Sequence, residues 1–404
     1  MVRVIAAKRW AAATSGVVLV AGLMVAGAGV ASADEPGGTC VANAGGSGFS
    51  AAMVAHAGQT ISRRTVNATG CDVGIYVDAP HVTISRVKVM GANDAGILVF
   101  DTHDVTVTRS DVSWNGFNSP AEGPHSGPQV NGTLPQAFAI SLFGVSDSIV
   151  TRNNVHDNGR GGIGIMDDGP SGPGRVVGGE GIPSTAVPVS NVLVSRNVLW
   201  ANYGGCAIVT SAFNAGNTVS NVTIDRNTVI GTGFTMGTEA MGNEAGEQIA
   251  DVGGIVAQSN GNFSTVSDIT ISRNTVTNSV EAGVIVHAAA PGSHTAGVTV
   301  THNKLSGNNM GAGETLQTTG VVVSVIGPPP GPICPPGSTD TTIPPCYFNN
   351  PGETNDNTVV SHNQISGQYY GVWTQGSSAP TMMRNHIKVT DGGTAYFQAS
   401  APTP

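Results

Sequence analysis

The amino-acid sequence predicts an all-β solenoid: a right-handed parallel β-helix of about ten coils with a short N-terminal capping helix. Two observations support this fold. A nine-residue motif, best preserved at Asp268–Val276, recurs from residue 61 almost to the C-terminus, and a second apolar strand follows most copies after about 13 residues. The composition also fits short strands and tight turns, because only 5% of the residues are aromatic and 56 are Gly.

Residues 1–33 have the pattern of a secretory signal peptide. Three basic residues precede an apolar run, and small residues end the run at Ala33. We therefore expect cleavage before Asp34, a secreted or cell-envelope location, and no stable membrane insertion of the mature chain. An uncleaved N-terminal anchor is the alternative, because the apolar run approaches spanning length. Export follows in both cases.

Residues 34–58 are expected to cap the solenoid. Phe49 and Met53 have helical spacing, which predicts a short helix there. A stack of coils needs a cap, since its end would otherwise expose strand edges and core to water. We expect the β-helix to occupy residues 59–390 and residues 391–404 to form a C-terminal tail.

Each coil is expected to consist of strand, turn, strand and turn. Apolar and polar residues alternate in the strands, so one face points inward and one outward. The shortest interval between copies is 22 to 23 residues, and a unit of this length cannot bury its apolar face alone. The units must stack in parallel, about 4.8 Å apart. The aligned apolar residues are Ile61, Ile84, Val107, Val150, Val194, Ile224, Ile271, Val300, Val360 and Met382.

Polar residues recur at fixed positions of the repeat and are expected to be structural. Two positions after the aligned apolar residue stands Arg or His, and we expect these side chains to splay outward because stacked cations repel. Asp104 and Asp147 stand three positions before the aligned apolar residue and are expected to form turns. Asn is common three positions after the aligned apolar residue, which predicts a stack of hydrogen-bonded amides, formed by Asn153, Asn197, Asn227, Asn274, Asn303, Asn363 and Asn385.

With these repeats, the chain resembles the secreted β-helix proteins of the pectate-lyase-like superfamily over about residues 58–390. That superfamily includes polysaccharide lyases, glycoside hydrolases, uronan epimerases and non-catalytic binding or adhesive proteins. The resemblance implies an exported protein acting on an extracellular or cell-envelope polysaccharide as a lyase or glycoside hydrolase. The alternative is a non-catalytic glycan-binding or surface-interaction protein, because the full catalytic motifs of the family are absent.

One candidate site lies six to seven residues after the aligned residue on three consecutive coils. Trp114 and Trp200 are expected to flank His156 and Asp157, about 10 Å from each other if coils are about 4.8 Å apart. Aromatic faces with an imidazole and a carboxylate between them suit sugar binding and proton transfer. The alternative is that both tryptophans pack under neighbouring insertions.

A second candidate site consists of aspartates that lie just past the second strand of their coils. Asp101 is separated by one coil, at Gly144, from Asp167 and Asp168. Carboxylates roughly 9 to 10 Å apart are near the range of an inverting glycosidase. Surface turns or a Ca²⁺ site are the alternative, so Ca²⁺ is the one cofactor that the sequence suggests.

Lyase chemistry requires a cation that neutralises a uronate and a base that takes the C5 proton. The residues outside the structural columns that suit these tasks are His156, Arg160, Arg175 and Tyr203. We assign His156 and Arg160 to catalysis, and Arg175 and Tyr203 to substrate binding.

Five cysteines in an exported chain predict disulfides. We expect Cys40 to pair with Cys71, and Cys334 with Cys346, while Cys206 lies in an apolar run and is expected to be a buried thiol. The cysteine spacing does not match a zinc site.

The net charge limits the classes of binding partner that we expect. Removing the three cations of the signal peptide changes the net charge from −9 to about −12, which argues against nucleic acid as a partner. A polyanionic glycan would also be repelled, unless a local basic patch reverses the field near its site. We expect a monomer that binds polysaccharide.

Overall fold

The computed structural model divides into two units, Met1–Pro36 and Gly37–Pro404. The predicted signal peptide therefore lies outside the described residues. These all belong to the second unit and comprise 39–42, 44, 49–117, 138–159, 161–167, 187–203, 205–232, 253–261, 263–279, 282–290, 292–308, 318–325, 354–376 and 379–399.

The described part of the chain forms 32 strands. The first eleven are β1 (Ala51–Val54), β2 (Thr60–Ser62), β3 (Thr65–Asn67), β4 (Val73–Val77), β5 (Thr83–Ser85), β6 (Lys88–Met90), β7 (Ala95–Phe100), β8 (Thr106–Thr108), β9 (Asp111–Ser113), β10 (Ile140–Phe143) and β11 (Ile149–Thr151). The next eleven are β12 (Asn154–His156), β13 (Ile163–Met166), β14 (Val189–Ser195), β15 (Val198–Asn202), β16 (Ile208–Ala212), β17 (Thr218–Asp225), β18 (Thr228–Thr232), β19 (Ile255–Ser259), β20 (Thr265–Ser267), β21 (Thr270–Ser272) and β22 (Thr275–Ser279). The last ten are β23 (Val284–Ala288), β24 (His294–Ala296), β25 (Thr299–Thr301), β26 (Lys304–Ser306), β27 (Thr319–Val325), β28 (Thr354–Asp356), β29 (Val359–Ser361), β30 (Gln364–Gln375), β31 (Thr381–Met383) and β32 (His386–Ala399).

These strands build a β-helix with three faces, and neighbouring coils pair in parallel on each face. The first face has ten strands, as predicted for about ten coils: β2, β5, β8, β11, β14, β17, β21, β25, β29 and β31. The second face consists of β3, β6, β9, β12, β15, β18, β22, β26 and the first halves of β30 and β32. The third face consists of β1, β4, β7, β10, β13, β16, β19, β23, β27 and the second halves of β30 and β32. The short strands β20, β24 and β28 form a further row that continues from β17.

The core fills the inside of the coils with columns of aliphatic residues. In-register pairing sets Ile61, Ile84 and Val107 in one column, each at most 1% exposed. Each fully buried aliphatic side chain of this kind contributes roughly 1.5–3 kcal/mol. The core therefore depends on the register of every coil.

The three faces differ in what lies on their outer side. Strands of the third face are buried on both sides, and Tyr76, Leu98 and Phe143 line a second apolar cluster there. Strands of the second face alternate between buried and exposed residues. The second face is therefore open to a ligand.

The asparagine stack is formed as predicted. Asn227 is 1% exposed, donates from Nδ2 to Oδ1 of Asn274 at 3.0 Å, and accepts from Nδ2 of Asn197 at 3.0 Å. Its Nδ2 also donates to the carbonyl of Val194 at 3.0 Å. The amides thus satisfy backbone groups in the turn between the first and second faces.

Both ends of the predicted solenoid need correction. The capping helix expected around Phe49 and Met53 is absent from the described residues; strand β1 lies there instead and pairs with β4, which sets Met53 beside Ile75. Strand pairing buries Ala51 inside the stack, which accounts for the difference. The tail expected from residue 391 belongs up to Ala399 to β32, because the last coil pairs with β30.

The predicted Cys40–Cys71 disulfide is present, with 5.6 Å between the Cα atoms. Cys206 is buried, at 5% exposure. Cys334 and Cys346 lie outside the described residues. No helix in the described ranges has the length and apolar character needed to cross a membrane.

Replacing Asn227 with Ala should lower the free energy of unfolding by about 1 to 3 kcal/mol. The substitution leaves two buried donors of Asn197 without their acceptor, the backbone N–H at 2.9 Å and Nδ2 at 3.0 Å. Urea unfolding measures the loss. Thr223→Ala, on the outer side of β17, is the control and should change stability by less than about 0.5 kcal/mol. Equal stability of Asn227→Ala and the wild type would contradict a structural role of the stack.

Candidate functional site

The second face brings His156 and Trp200 together. Parallel pairing of β12 with β15 sets these residues side by side. Their rings are stacked, with 4.3 Å between centroids and 6° between planes. Trp200 is 37% exposed, and its Nε1 donates to Oδ1 of Asn154 at 3.2 Å, so the indole is held in place and remains partly exposed between His156 and Ile230, its paired residue on the next coil.

Both ring nitrogens of His156 contact carboxylates. Nδ1 lies 2.8 Å from Oδ2 of Asp157, and Nε2 lies 3.2 Å from Oδ2 of Asp111. Both ring nitrogens of His156 are thus engaged with carboxylates of the protein.

Asp111 organises this cluster, and the sequence analysis missed it. Its carboxylate accepts hydrogen bonds from Nδ2 of Asn154 at 3.1 Å and Oγ of Ser113 at 3.2 Å, in addition to His156. Burial opposes ionisation, but the hydrogen bonds from His156 and Asn154 outweigh it and lower the pKa of Asp111. The repeat alignment could have identified Asp111, because it sets Asp111 beside Asn154 on the next coil.

Trp114 does not flank His156 as predicted. The residue paired with His156 on the preceding coil is Ser113, and Trp114 lies one position later, where its N–H donates to the carbonyl of Asp157 at 3.0 Å. The repeat alignment accounts for the offset, because Trp114 follows Val107 by seven residues whereas His156 follows Val150 by six. Trp114 therefore lies in the turn after β9, with φ of 61°. Only Trp200 therefore stacks on His156.

The Trp114 ring instead begins a row of aromatic side chains. Its centroid is 6.3 Å from that of Phe117, which is 6.2 Å from that of Tyr203. Trp114 is 36% exposed and Phe117 is buried. Burial, followed by the negative charge of Asp157, raises the pKa of Tyr203. Tyr203 thus lies near Asp157, as expected for two residues of one site.

A second, shorter asparagine stack supports the turn beneath this cluster. Asn115 donates from Nδ2 to Oδ1 of Asn158 at 3.1 Å, and Asn158 donates to Oδ1 of Asn202 at 2.9 Å. All three side chains are at most 1% exposed. They fix the turn in which Trp114 and Asp157 lie, so the site is built on a rigid base.

Asp101 and Asp167 of the second candidate site do not face one another. Pairing of β7, β10 and β13 puts Asp101, Gly144 and Asp167 on successive coils, as expected. Asp167, however, is fully buried, and its carboxylate accepts from the backbone N–H groups of Phe213 at 2.7 Å and Asn214 at 3.1 Å. Burial raises its pKa, although these N–H groups act in the opposite direction. Asp167 stabilises a turn of the next coil.

Asp101 stays at the surface, where its Oδ1 lies against Gly144. A Cβ added to Gly144 would lie 2.4 Å from this oxygen. Partial burial raises the pKa of Asp101. Asp168, Arg160 and Arg175 lie outside the described residues. In the ranges that the structure describes, no three His, Cys, Asp or Glu side chains form a cluster that could hold a metal ion.

A basic groove adjoins the His156 cluster. It has a volume of about 380 Å³ and is lined by Arg63, Arg64, Arg86, Lys88 and Arg109, together with Thr65, Val87 and Asp111. Asp111 thus belongs both to the groove and to the His156 contacts. The recurring arginines were expected only to splay outward, and the groove was not predicted from the sequence.

Asp111→Asn should lower the free energy of unfolding only at pH values where the wild-type carboxylate is charged. Because folding lowers the pKa of Asp111, its stabilising effect is present above the unfolded value of about 4 and is lost as the pH falls through the folded value. The side chain is 37% exposed, so the effect should be below about 1 kcal/mol. Urea unfolding at about pH 6 and about pH 2 measures it, with the exposed Asp391→Asn as control. A loss of equal size at both pH values would contradict the assigned role.

Comparison with known proteins places the chain in a family. Residues 50–324 match the family model described as right handed beta helix region. A search of curated proteins gives no match.

Several solved structures are similar in fold. They include a hyperthermoactive exopolygalacturonase from Thermotoga maritima, with 13% identity, a TM-score of 0.50, and coverage of 78% of this chain and 55% of that chain. An alginate lyase from Paenibacillus sp. str. FPU-7 has 14% identity, a TM-score of 0.40, and coverage of 83% and 91%. The surface protein and adhesin PfbA of Streptococcus pneumoniae has 12% identity, a TM-score of 0.36, and coverage of 81% and 69%. The chain thus spans about half the length of the exopolygalacturonase. Since the family model matches more than half of the chain, the protein belongs to the right-handed parallel β-helix family.

Proposed function

We propose that this is an exported β-helix protein that binds an extracellular or cell-envelope polysaccharide on its second face. The observation that carries the proposal is the exposed Trp200 ring, backed by His156 at 4.3 Å and tied by its Nε1 to Asn154. The apolar side of a sugar ring packs on such a fixed aromatic surface at little cost in side-chain entropy.

Polar groups beside the ring suit sugar hydroxyls. Asp111 and Asp157 contact the His156 ring that stacks on the indole, and Trp114 offers a second partly exposed ring in the adjoining turn. Sugar recognition generally needs both an apolar surface and a few well-placed polar groups. Export is supported by the signal-like N-terminus and by the Cys40–Cys71 disulfide.

Binding without catalysis is favoured by the state of the candidate acids and bases. Both nitrogens of His156 are engaged with carboxylates, and Asp167 is buried against backbone N–H groups. A general base must reach the proton that it abstracts, and neither group is available for this in the described arrangement.

A lyase or glycoside hydrolase is the second candidate, and Asp101 favours it. Its carboxyl is exposed and its pKa is raised, which suits a general acid. Its proposed partners, Asp168 and Arg160, lie outside the described residues, and Ca²⁺ remains the cofactor to include in a test.

Trp200→Ala should weaken retardation of the protein in gels that contain a bound glycan by about tenfold in affinity, because it removes the exposed ring. A panel of neutral and uronic glycans, with and without Ca²⁺, identifies the ligand. Phe263→Ala is the matched control, since Phe263 is 70% exposed but lies in the turn ahead of the first face. Equal retardation of Trp200→Ala and the wild type on every glycan would reject this site.

The same panel separates binding from catalysis. Release of reducing ends indicates hydrolysis, and ultraviolet absorbance of unsaturated products indicates lyase activity. Turnover that Asp101→Asn abolishes would replace the binding proposal with the enzymatic one. Retardation without turnover is the outcome that we expect.

A further inference from the structure

Among the described residues, positive charge is confined to one side of the solenoid. The described ranges contain 12 Lys and Arg residues, and all of them lie in the turn between the first and second faces or on the second face itself. We call this set the basic edge: Arg63, Arg64, Arg86, Lys88, Arg109, Arg152, Arg196, Arg226, Arg273, Lys304, Arg384 and Lys388.

Negative charge is concentrated elsewhere. Of the 13 Asp residues in the described ranges, seven lie between the third face and the first face of the next coil. We call them the acidic edge: Asp78, Asp101, Asp104, Asp147, Asp167, Asp268 and Asp356. The chain as a whole has a net charge of −9, so the basic edge is a local reversal of the overall field.

Turn geometry makes the basic edge regular. Its central column follows the first-face strands with one residue per coil, and each member has φ between 50° and 59°. The N–H of Arg63 donates to the carbonyl of Ser85 on the next coil at 3.2 Å, and Arg86 repeats this contact with Thr108 at 3.1 Å. In two later coils, histidines take the same position, and their rings stack at 4.8 Å. One cationic or imidazole group therefore recurs at each step of about 4.8 Å.

Most of this charge is not neutralised by the protein. Asp225 pairs with Arg226 at 3.2 Å and with Arg273 at 2.7 Å. Within the described part of the chain, the structure gives no ion pair to the five column arginines of the earlier coils, which are Arg63, Arg86, Arg109, Arg152 and Arg196. All five are exposed, and the first three line the basic groove. Placing like charges this close is unfavourable without an anionic partner.

We infer that the basic edge binds a linear polyanion that lies parallel to the axis of the solenoid. Its carboxylate, sulfate or phosphate groups contact successive arginines, about one for each coil, starting in the groove at Arg63, Arg86 and Arg109. Guanidinium groups suit this task because they hold carboxylate and phosphate with paired hydrogen bonds. The surface lies beside the Trp200 ring and is independent of it.

The shape of the edge favours a single extended chain over other polyanions. The column is one residue wide, and it runs past a shallow groove of about 380 Å³. Duplex DNA carries one charge per about 1.7 Å of axis, which does not match a step of about 4.8 Å.

The test measures binding of the full mature chain to four probes by affinity electrophoresis and titration. The probes are polygalacturonate, its methyl-esterified neutral form, linear polyphosphate and duplex DNA. The test variant is Arg63→Gln, Arg86→Gln and Arg109→Gln combined. The control is Asp104→Asn with Asp147→Asn on the acidic edge, where Asn191 and Asn221 already occupy equivalent turns of other coils. Thermal unfolding establishes that each variant is folded.

We expect the wild type to bind polygalacturonate or polyphosphate, and the neutral ester at least about tenfold more weakly. The triple Arg→Gln variant should lose about tenfold or more in affinity, and the corresponding Arg→Lys variant should retain most of it. The acidic-edge variant should be unchanged, although its net charge rises. Raising the ionic strength from about 0.05 to about 0.5 M should weaken binding steeply.

Three results would overturn the inference. The first is that the folded triple Arg→Gln variant binds the polyanion with wild-type affinity. The second is that the acidic-edge variant gains as much affinity as the triple variant is expected to lose, and the third is that the wild type binds duplex DNA as tightly as the linear polyanions. Polygalacturonate and polyphosphate distinguish a carboxylate from a phosphate polymer. Trp200→Ala should leave polyanion binding within about twofold. Failure of the basic edge and failure of the Trp200 site are thus separate outcomes.

Discussion

The structure depends on the in-register pairing of each coil with the next. A single coil is too short to bury its own apolar side, so the aliphatic columns that include Ile84 and Val107 exist only because neighbouring coils align. The asparagine stack reinforces the same register, since each buried amide satisfies turn groups of adjacent coils. A shift of one residue would turn these amides and the aliphatic columns to the wrong side.

The same register converts a one-dimensional repeat into columns of side chains on the surface. Residues far apart in the chain become neighbours when they share a position in the repeat, as His156 and Trp200 do. The column also limits chemistry where a polar residue inside it is bound by a neighbouring coil. Asp167, for example, is bound by the backbone of the next coil. Exposed side chains that could contact a ligand occur where the residue type changes from one coil to the next, at Trp200 and in the groove beside Asp111.

Charged side chains are arranged in columns by the same register. A cation at one repeat position becomes a line of cations when the coils stack, and acidic residues of another turn become a second line. An acidic protein can therefore present a continuous positive edge. The proposed binding of a polysaccharide at Trp200 and of a polyanion at the arginine column would use adjacent surfaces of one scaffold.

The sequence by itself determined the fold, the number of coils, the asparagine stack and the Cys40–Cys71 pair, because each depends on periodicity or on cysteine usage. It also indicated that His156 and Trp200 belong together. Only the tertiary structure decided that the Asp111 carboxylate contacts His156 and that β1 replaces the expected helix. These features depend on side-chain direction and on pairing between distant segments, which the repeat spacing does not encode. The single basic edge likewise emerges only when the turns are wrapped into coils, because the chain order alone does not place a turn on one side of the solenoid.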